Sequence, residues 1–138
     1  MGFLIKKAVQ QIVTAKVTLT SANLLTPGYI VDVPEYPAVK DYFWQVLSMN
    51  ANIVNGSINY VGTSAIHIQS ASAPDPQLRY SINYITNPTG TWAFANTTTS
   101  ANIIQFVDND KLQVHNPGTL TVGDNDLNIY ITAILISI

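Results

Sequence analysis

The chain contains no cysteine, and that absence removes disulfide staples and thiolate metal sites together. It fits folding in a reducing cytoplasm. Charge is the second scarcity. Charged residues make up 10% of the 138 residues and the net charge is −2, against about 25% charged residues in an ordinary globular domain. The basic residues Lys6, Lys7, Lys16, Lys40, Arg79 and Lys111 are dispersed, so no cationic stripe is expected for nucleic acid or an anionic membrane. No run approaches the roughly 20 apolar residues of a membrane-spanning helix. The opening MGFLIKKAVQQIVTA carries its lysines after the apolar start, the reverse of a secretion signal. Lys6 stands where a myristoylation pattern needs Ser or Thr.

Catalytic signatures are missing as well. The sequence has no G-x-S-x-G, no H-E-x-x-H, no phosphate loop and no dinucleotide fingerprint. With two histidines and no cysteine, most nucleophile–base pairs cannot be built. Paired carboxylates remain formally open. Asp32, Glu35, Asp41, Asp75 and the Asp108 and Asp124 loops are the candidates, and all flank expected turns, where Asp serves the turn itself. The repeated spelling Asp108-Asn109-Asp110 and Asp124-Asn125-Asp126 could ligate calcium. The Gly and distal Glu of a calcium loop are absent, so turns are expected there instead. His67 and His115 fall mid-strand with no third ligand at a fixed spacing. Solvated strand faces are expected for both; at a subunit contact they would make it pH-sensitive. The expectation is a protein that is not an enzyme and has no cofactor, catalytic residue or metal site.

What the sequence does have is strands. Val13, Ala15, Val17 and Leu19 alternate with Thr14, Lys16, Thr18 and Thr20, a period of two with one wet face. Ser21 is placed as the cap of a short turn over Ala22 to Leu25. Thr26-Pro27-Gly28-Tyr29 has proline and glycine where a type II turn needs them. Tyr29 to Val33 alternates again, and Pro34 and Pro37 close it. Asp41 to Val54 reads as a core strand with Phe43, Gln45, Leu47, Met49, Ala51 and Ile53 on one face, with room for a bulge. Asn55-Gly56 predicts a tight hairpin returning along Ser57 to Val61. Short strands are expected at Ala65 to Gln69, Leu78 to Tyr84, Trp92 to Phe94, Ile103 to Val107 and Leu112 to His115. Trp44, Trp92 and most tyrosines fall within strands, which places them in the core or at an interface.

The last stretch, Leu127 to Ile138, is the most informative. Leu127, Ile129 and Ile131 alternate with Asn128, Tyr130 and Thr132. From Ala133 the wet face turns apolar, with Ile134, Ile136 and Ile138 upon it. A strand apolar on both faces needs cover on both. The chain is therefore expected to be all-β, an antiparallel β-sandwich of jelly-roll type with about eight to ten strands. Residues 1–12 form an N-terminal arm or short helix, and 13–138 form one domain. A chain of this length buries about two-thirds of its unfolded surface, enough for a core without staples.

Three stretches also carry a family resemblance: Lys16-Val-Thr-Leu-Thr-Ser-Ala-Asn-Leu-Leu25, Ile30-Val-Asp-Val-Pro34 and Gly123-Asp-Asn-Asp-Leu-Asn-Ile-Tyr-Ile131. Together they resemble small structural proteins of tailed bacteriophages, whose V-T-L-T-S-A opening precedes a Pro-ended strand and whose last strand follows G-D. The region from Ser57 to Asn102 follows no part of that pattern, and residues 1–12 precede it. The resemblance implies a jelly-roll-like protein of the virion, made in the bacterial host cytoplasm. It would be a trimeric capsid decoration or auxiliary protein, of cement or head-fibre type, on the head exterior. Its partners would be its own copies and the major capsid protein or other virion proteins, with no nucleic acid and no membrane. The expected subunit or capsid contacts are Phe3, Leu4, Ile5, Val9 and Ile12 in the arm, and Ile134, Ile136 and Ile138 at the end. The alternative is a receptor- or glycan-binding module of a phage tail or fibre.

Overall fold

The computed structural model describes residues 11–63, 65–72, 79–82, 88–94 and 108–138. Its strands are β1 (Gln11–Leu19), β2 (Tyr29–Asp32), β3 (Tyr42–Val54), β4 (Val61–Thr63), β5 (Ile66–Ser70), β6 (Arg79–Ile82), β7 (Trp92–Phe94), β8 (Leu112–Asn116), β9 (Thr119–Thr121) and β10 (Asp126–Ser137). One helical turn, α1 (Ser21–Leu24), follows β1. Strand β1 begins at Gln11, so Ile12 belongs to the sheet and not to an arm. The expected strand over 103–107 lies outside the described residues.

Local sequence explains the first elements. The alternation in β1 buries Ala15 and Leu19 and leaves Thr14, Lys16 and Thr18 exposed. Thr20, one residue earlier than expected, caps α1. Its hydroxyl accepts the Asn23 amide N–H at 3.4 Å, and Asn23 Oδ1 accepts the Thr20 amide N–H at 2.9 Å. This reciprocal pair satisfies helix-end donors that would otherwise be orphaned. The Pro27-Gly28 turn forms as expected. Gly28 has φ +73° and Tyr29 N donates to Thr26 O at 3.3 Å, the left-handed residue a type II turn requires.

Eight strands make two four-stranded antiparallel sheets, ordered β1-β10-β3-β7 and β2-β8-β5-β6. Strands β4 and β9 pair separately. Successive strands alternate between the two sheets except for the adjacent pair β5 and β6. This is the doubled Greek key of a jelly roll. The inner faces meet in one core: Ala15, Leu19, Trp44, Val46, Met49, Ala51, Ile53, Leu127, Ile129, Ile131 and Ala133 from the first sheet, Ile66, Ile68, Leu112 and Val114 from the second. Tyr36, in the link from β2 to β3, joins the layers. It is fully buried, and its ring lies 5.0 Å from that of Trp44. Its hydroxyl reaches Val13 O and Ile131 O, each at 2.9 Å, while its own carbonyl accepts the Leu112 amide N–H at 3.1 Å. Burial drives the phenol pKa well above its usual range.

Two expectations are corrected here. Asn55 does adopt the left-handed conformation, φ +62°, but no hairpin returns along β3. Both edges of β3 are already taken near its end, by β10 (Ile53↔Leu127) and by β7 (Asn52↔Trp92). The chain leaves the sheet instead, and β4 pairs with β9, a strand the sequence reading did not separate. The second correction concerns which residues of β3 face inward. The register against β10 runs Thr132↔Ser48 and then Ala133↔Val46, so Leu47 is an extra, bulged residue. A bulge inverts the parity of everything beyond it. Met49, Ala51 and Ile53 face the core as expected, whereas Phe43, Gln45 and Leu47 do not. Trp44 and Val46 take their place, at 4% and 6% exposure.

Candidate functional site: the outer face of the β1-β10-β3-β7 sheet

The solvent face of this sheet has two regions on either side of the bulge. On one side the registered rows are Thr18–Asn128–Asn52–Trp92, Lys16–Tyr130–Asn50 and Thr14–Thr132–Ser48. Apart from Lys16 every residue in them is uncharged. Trp92 is 53% exposed, and its ring stacks on Tyr130 at 5.8 Å with an interplanar angle of 27°. The Lys16 ammonium lies 5.7 Å from the Tyr130 centroid, within cation–π range. Thr18 donates its hydroxyl to Asn128 Oδ1 at 2.8 Å. Asn52 Oδ1 is shielded from solvent and accepts no hydrogen bond.

Beyond the bulge the rows become apolar. Ile12 pairs across to Ile134 and on to Gln45, and Ile136 pairs with Phe43. Ile12 and Ile138 are 62% and 64% exposed and Leu47 is 46%. Ile134 is the exception, buried to 9%. Of the contact residues expected from sequence, Ile12, Ile134, Ile136 and Ile138 thus lie at one end of one sheet. Phe3, Leu4, Ile5 and Val9 lie outside the described residues.

Trp92 and Tyr130 were not among the expected contacts. Trp92 was placed in a core or interface because it sits in a strand. The signal for Tyr130 was there: it shares its face of β10 with Asn128 and Thr132, on the wet side of the alternation. Nothing local places Trp92 beside it, because the two rings belong to strands on opposite sides of β3.

The two Asp-Asn-Asp segments act as polar rivets. Asp124 Oδ1 accepts the Ile58 and Ser57 amide N–H groups at 2.7 and 2.9 Å. These backbone bonds hold its carboxyl below the usual range. Asn125 is fully buried, donating to Ile58 O at 2.9 Å and accepting from the Thr89 hydroxyl at 2.6 Å. Asp126 Oδ1 accepts the Ser21 amide N–H at 3.0 Å. Tyr60 donates its hydroxyl to Asn125 O, and burial with Asp126 and Asp124 nearby pushes its pKa up to about 12. In the first segment, Asn109 has φ +58° and donates its amide N–H to Tyr42 O at 2.8 Å. Asp110 Oδ2 accepts the Ser72 amide and hydroxyl at 2.8 and 2.7 Å. The turn reading of both segments is what these bonds support. Among the described residues, no three of His, Asp and Glu gather as metal ligands would, and no helix is long and apolar enough to cross a membrane.

The histidines depart from expectation. His67 on β5 and His115 on β8 are directly paired, with ring centroids 6.0 Å apart. His67 is buried, not solvated, because β5 is an interior strand covered on both faces along its length. At the margin of that sheet Asp32 accepts from Lys111 Nζ and Gln113 Nε2, each at 2.7 Å. Both bonds lower its carboxyl pKa, the Lys111 bond most. Such an exposed pair contributes little to stability.

Set against family models, curated proteins and solved structures, the chain matches none of them.

Proposed function

We propose that the chain is a non-enzymatic structural protein of a bacteriophage virion, a capsid decoration or auxiliary protein that assembles as a trimer on the head exterior. The observation that carries the assembly part is the apolar end of the outer sheet face, where Ile12, Leu47 and Ile138 stand in solvent beside Ile136 and Phe43. Burying such side chains against another copy contributes about 25 cal/mol per Å² before association costs. The low charge offers little repulsion to oppose it. The virion part rests on the sequence resemblance and on the jelly-roll topology, and it extends to the major capsid protein as the surface being cemented.

Two measurements test the reading. The native mass of the purified chain at micromolar concentration should be that of a trimer, and Ile138→Asp should shift it to the monomer with the fold intact. A monomeric parent chain, unchanged by the substitution, refutes the assembly. The protein should also co-purify with intact particles and stay with heads after tails are removed; recovery with tails alone refutes the head assignment. Deleting residues 1–10, which stops short of β1, should weaken attachment while leaving the sandwich folded.

A further inference from the structure

We infer that the polar half of the same sheet face is a carbohydrate-binding surface, on which a hexopyranose ring stacks against Trp92. This goes beyond the assembly reading and does not depend on it. The Trp92 ring is more than half exposed and is held from one side by Tyr130, so it is a fixed platform and not a loose side chain. A pyranose presents a patch of C–H groups on one face and hydroxyls around its rim. The C–H patch suits the electron-rich face of an indole. The hydroxyls need donors and acceptors at the platform's edge, and Asn50, Asn52 and Asn128 supply them on β3 and β10, the strands the indole crosses to reach Tyr130.

The orphaned acceptor points the same way. A shielded carbonyl oxygen without a partner is costly, and each one in a folded protein calls for an explanation. Asn52 Oδ1 is such an atom, and Asn52 is the registered neighbour of Trp92. A rotation of the Asn52 side chain toward the fixed indole would offer this oxygen to a ligand hydroxyl, the donor it lacks.

The other occupants fit less well. Stacked aromatics also bind nucleobases, but a single-stranded nucleic acid brings phosphates that need a cationic track, and Lys16 is the one cation in these rows. A protein contact would favour the apolar end over a field of Asn, Thr and Ser, since interface cores are built on aromatic and apolar anchors.

The test uses the whole chain and a panel of methyl hexopyranosides (glucose, galactose, mannose and N-acetylglucosamine), read by saturation-transfer NMR at about 10 mM, where millimolar affinities register. At least one glycoside should give a signal. Trp92→Ala should weaken it at least about tenfold, Asn52→Ala should weaken it less, and Leu47→Asp at the other end should leave it unchanged. Circular dichroism of each variant separates lost binding from lost fold. No signal from any glycoside overturns the inference. A signal that survives Trp92→Ala does the same. So does oligothymidylate binding in place of sugar, or self-association that depends on Trp92 in a chain that binds no glycoside.

Discussion

The two halves of the outer sheet face share β1, β10 and β3, yet their chemistry differs. Along β10 the outward residues are Asn128, Tyr130 and Thr132, then Ile134 and Ile136, with Ile138 just past its end. Their partners on β1 change from Thr18, Lys16 and Thr14 to Ile12, and those on β3 from Asn52, Asn50 and Ser48 to Gln45 and Phe43. The change falls at the Leu47 bulge. Because the bulge inverts the parity of β3, Trp44 and Val46 fill the core on one side while Met49, Ala51 and Ile53 fill it on the other. One surface can thereby carry an apolar end suited to another chain and a polar, aromatic half suited to a small hydroxylated ligand. The inner face stays continuous beneath both.

The strongest way to break the comparison is to test the parity that its divider sets. Trp44 faces the core because Leu47 is an extra residue, and it is 4% exposed, so Trp44→Ala should cost about 3–5 kcal/mol. Deleting Leu47 removes only the unpaired residue and leaves Thr132↔Ser48 and Ala133↔Val46 as consecutive pairs with Trp44 and Val46 still inward, so it should cost less. Urea denaturation would measure both. A Leu47 deletion that costs as much as Trp44→Ala would mean that the core depends on the bulge itself and not only on the parity it sets.

Next in size is the contrast between the inner face of β10 and the exposed residue that follows the strand. Ile129→Ala empties a fully buried site and should cost about 2–5 kcal/mol. Ile138→Asp, at an exposed position, should move folding stability by no more than about 0.5 kcal/mol while dissociating the assembly. Equal losses of stability from the two substitutions would erase the distinction between core and contact residues.

Much of this frame is legible in the sequence, and the illegible parts share a cause. Alternation in Val13 to Leu19 and Leu127 to Ile131, and the Pro27-Gly28 turn, depend on neighbours two to four residues apart, so the sequence displays them. The sequence leaves room for a bulge in β3 but does not place it, because its position answers to β10, far along the chain. The Asn55-Gly56 hairpin failed for the same reason: local turn chemistry was right, but β10 and β7 had already occupied the edges of β3. His67 looked solvated because nothing nearby says that β5 is interior. At the candidate site, Ile134, Ile136 and Ile138 were legible from their run of apolar residues, whereas the Trp92–Tyr130 stack exists only once β3 lies between its two strands.

A smaller effect is expected where the polar half is anchored. Asn125 has no exposed surface and bridges the Asn55-Gly56 turn region to the start of β10, through Ile58 O and the Thr89 hydroxyl. Asn125→Ala removes both bonds, while Ile58 O keeps the Asp124 amide and the Thr89 hydroxyl keeps Gly56 O; two such bonds should cost about 1–3 kcal/mol together. Thermal melting would show it. If the apolar end is independent, the native mass should stay that of the parent; dissociation in this variant would mean the two halves are coupled.

The gentlest probe is acid. Asp124 holds the Ile58 and Ser57 amides, and those bonds keep its folded pKa below the ordinary 3.8. A depressed folded value means that its contribution is complete above the ordinary pKa and fades as pH falls through the folded one. The window therefore lies below about pH 4. At the apolar end β3 and β10 are joined by ladder bonds from Gln45↔Ile134 to Tyr42↔Ser137. Amide exchange followed by NMR as pH is lowered should show protection at Ser57 and Ile58 falling first, with Gln45 and Val46 still closed. Asp124→Asn keeps an acceptor but loses the charge, so its Ser57 and Ile58 protection should be weaker at neutral pH and nearly flat with acid. Simultaneous loss at both ends would show that the sheet opens as one unit and that the bulge divides its chemistry without dividing its stability.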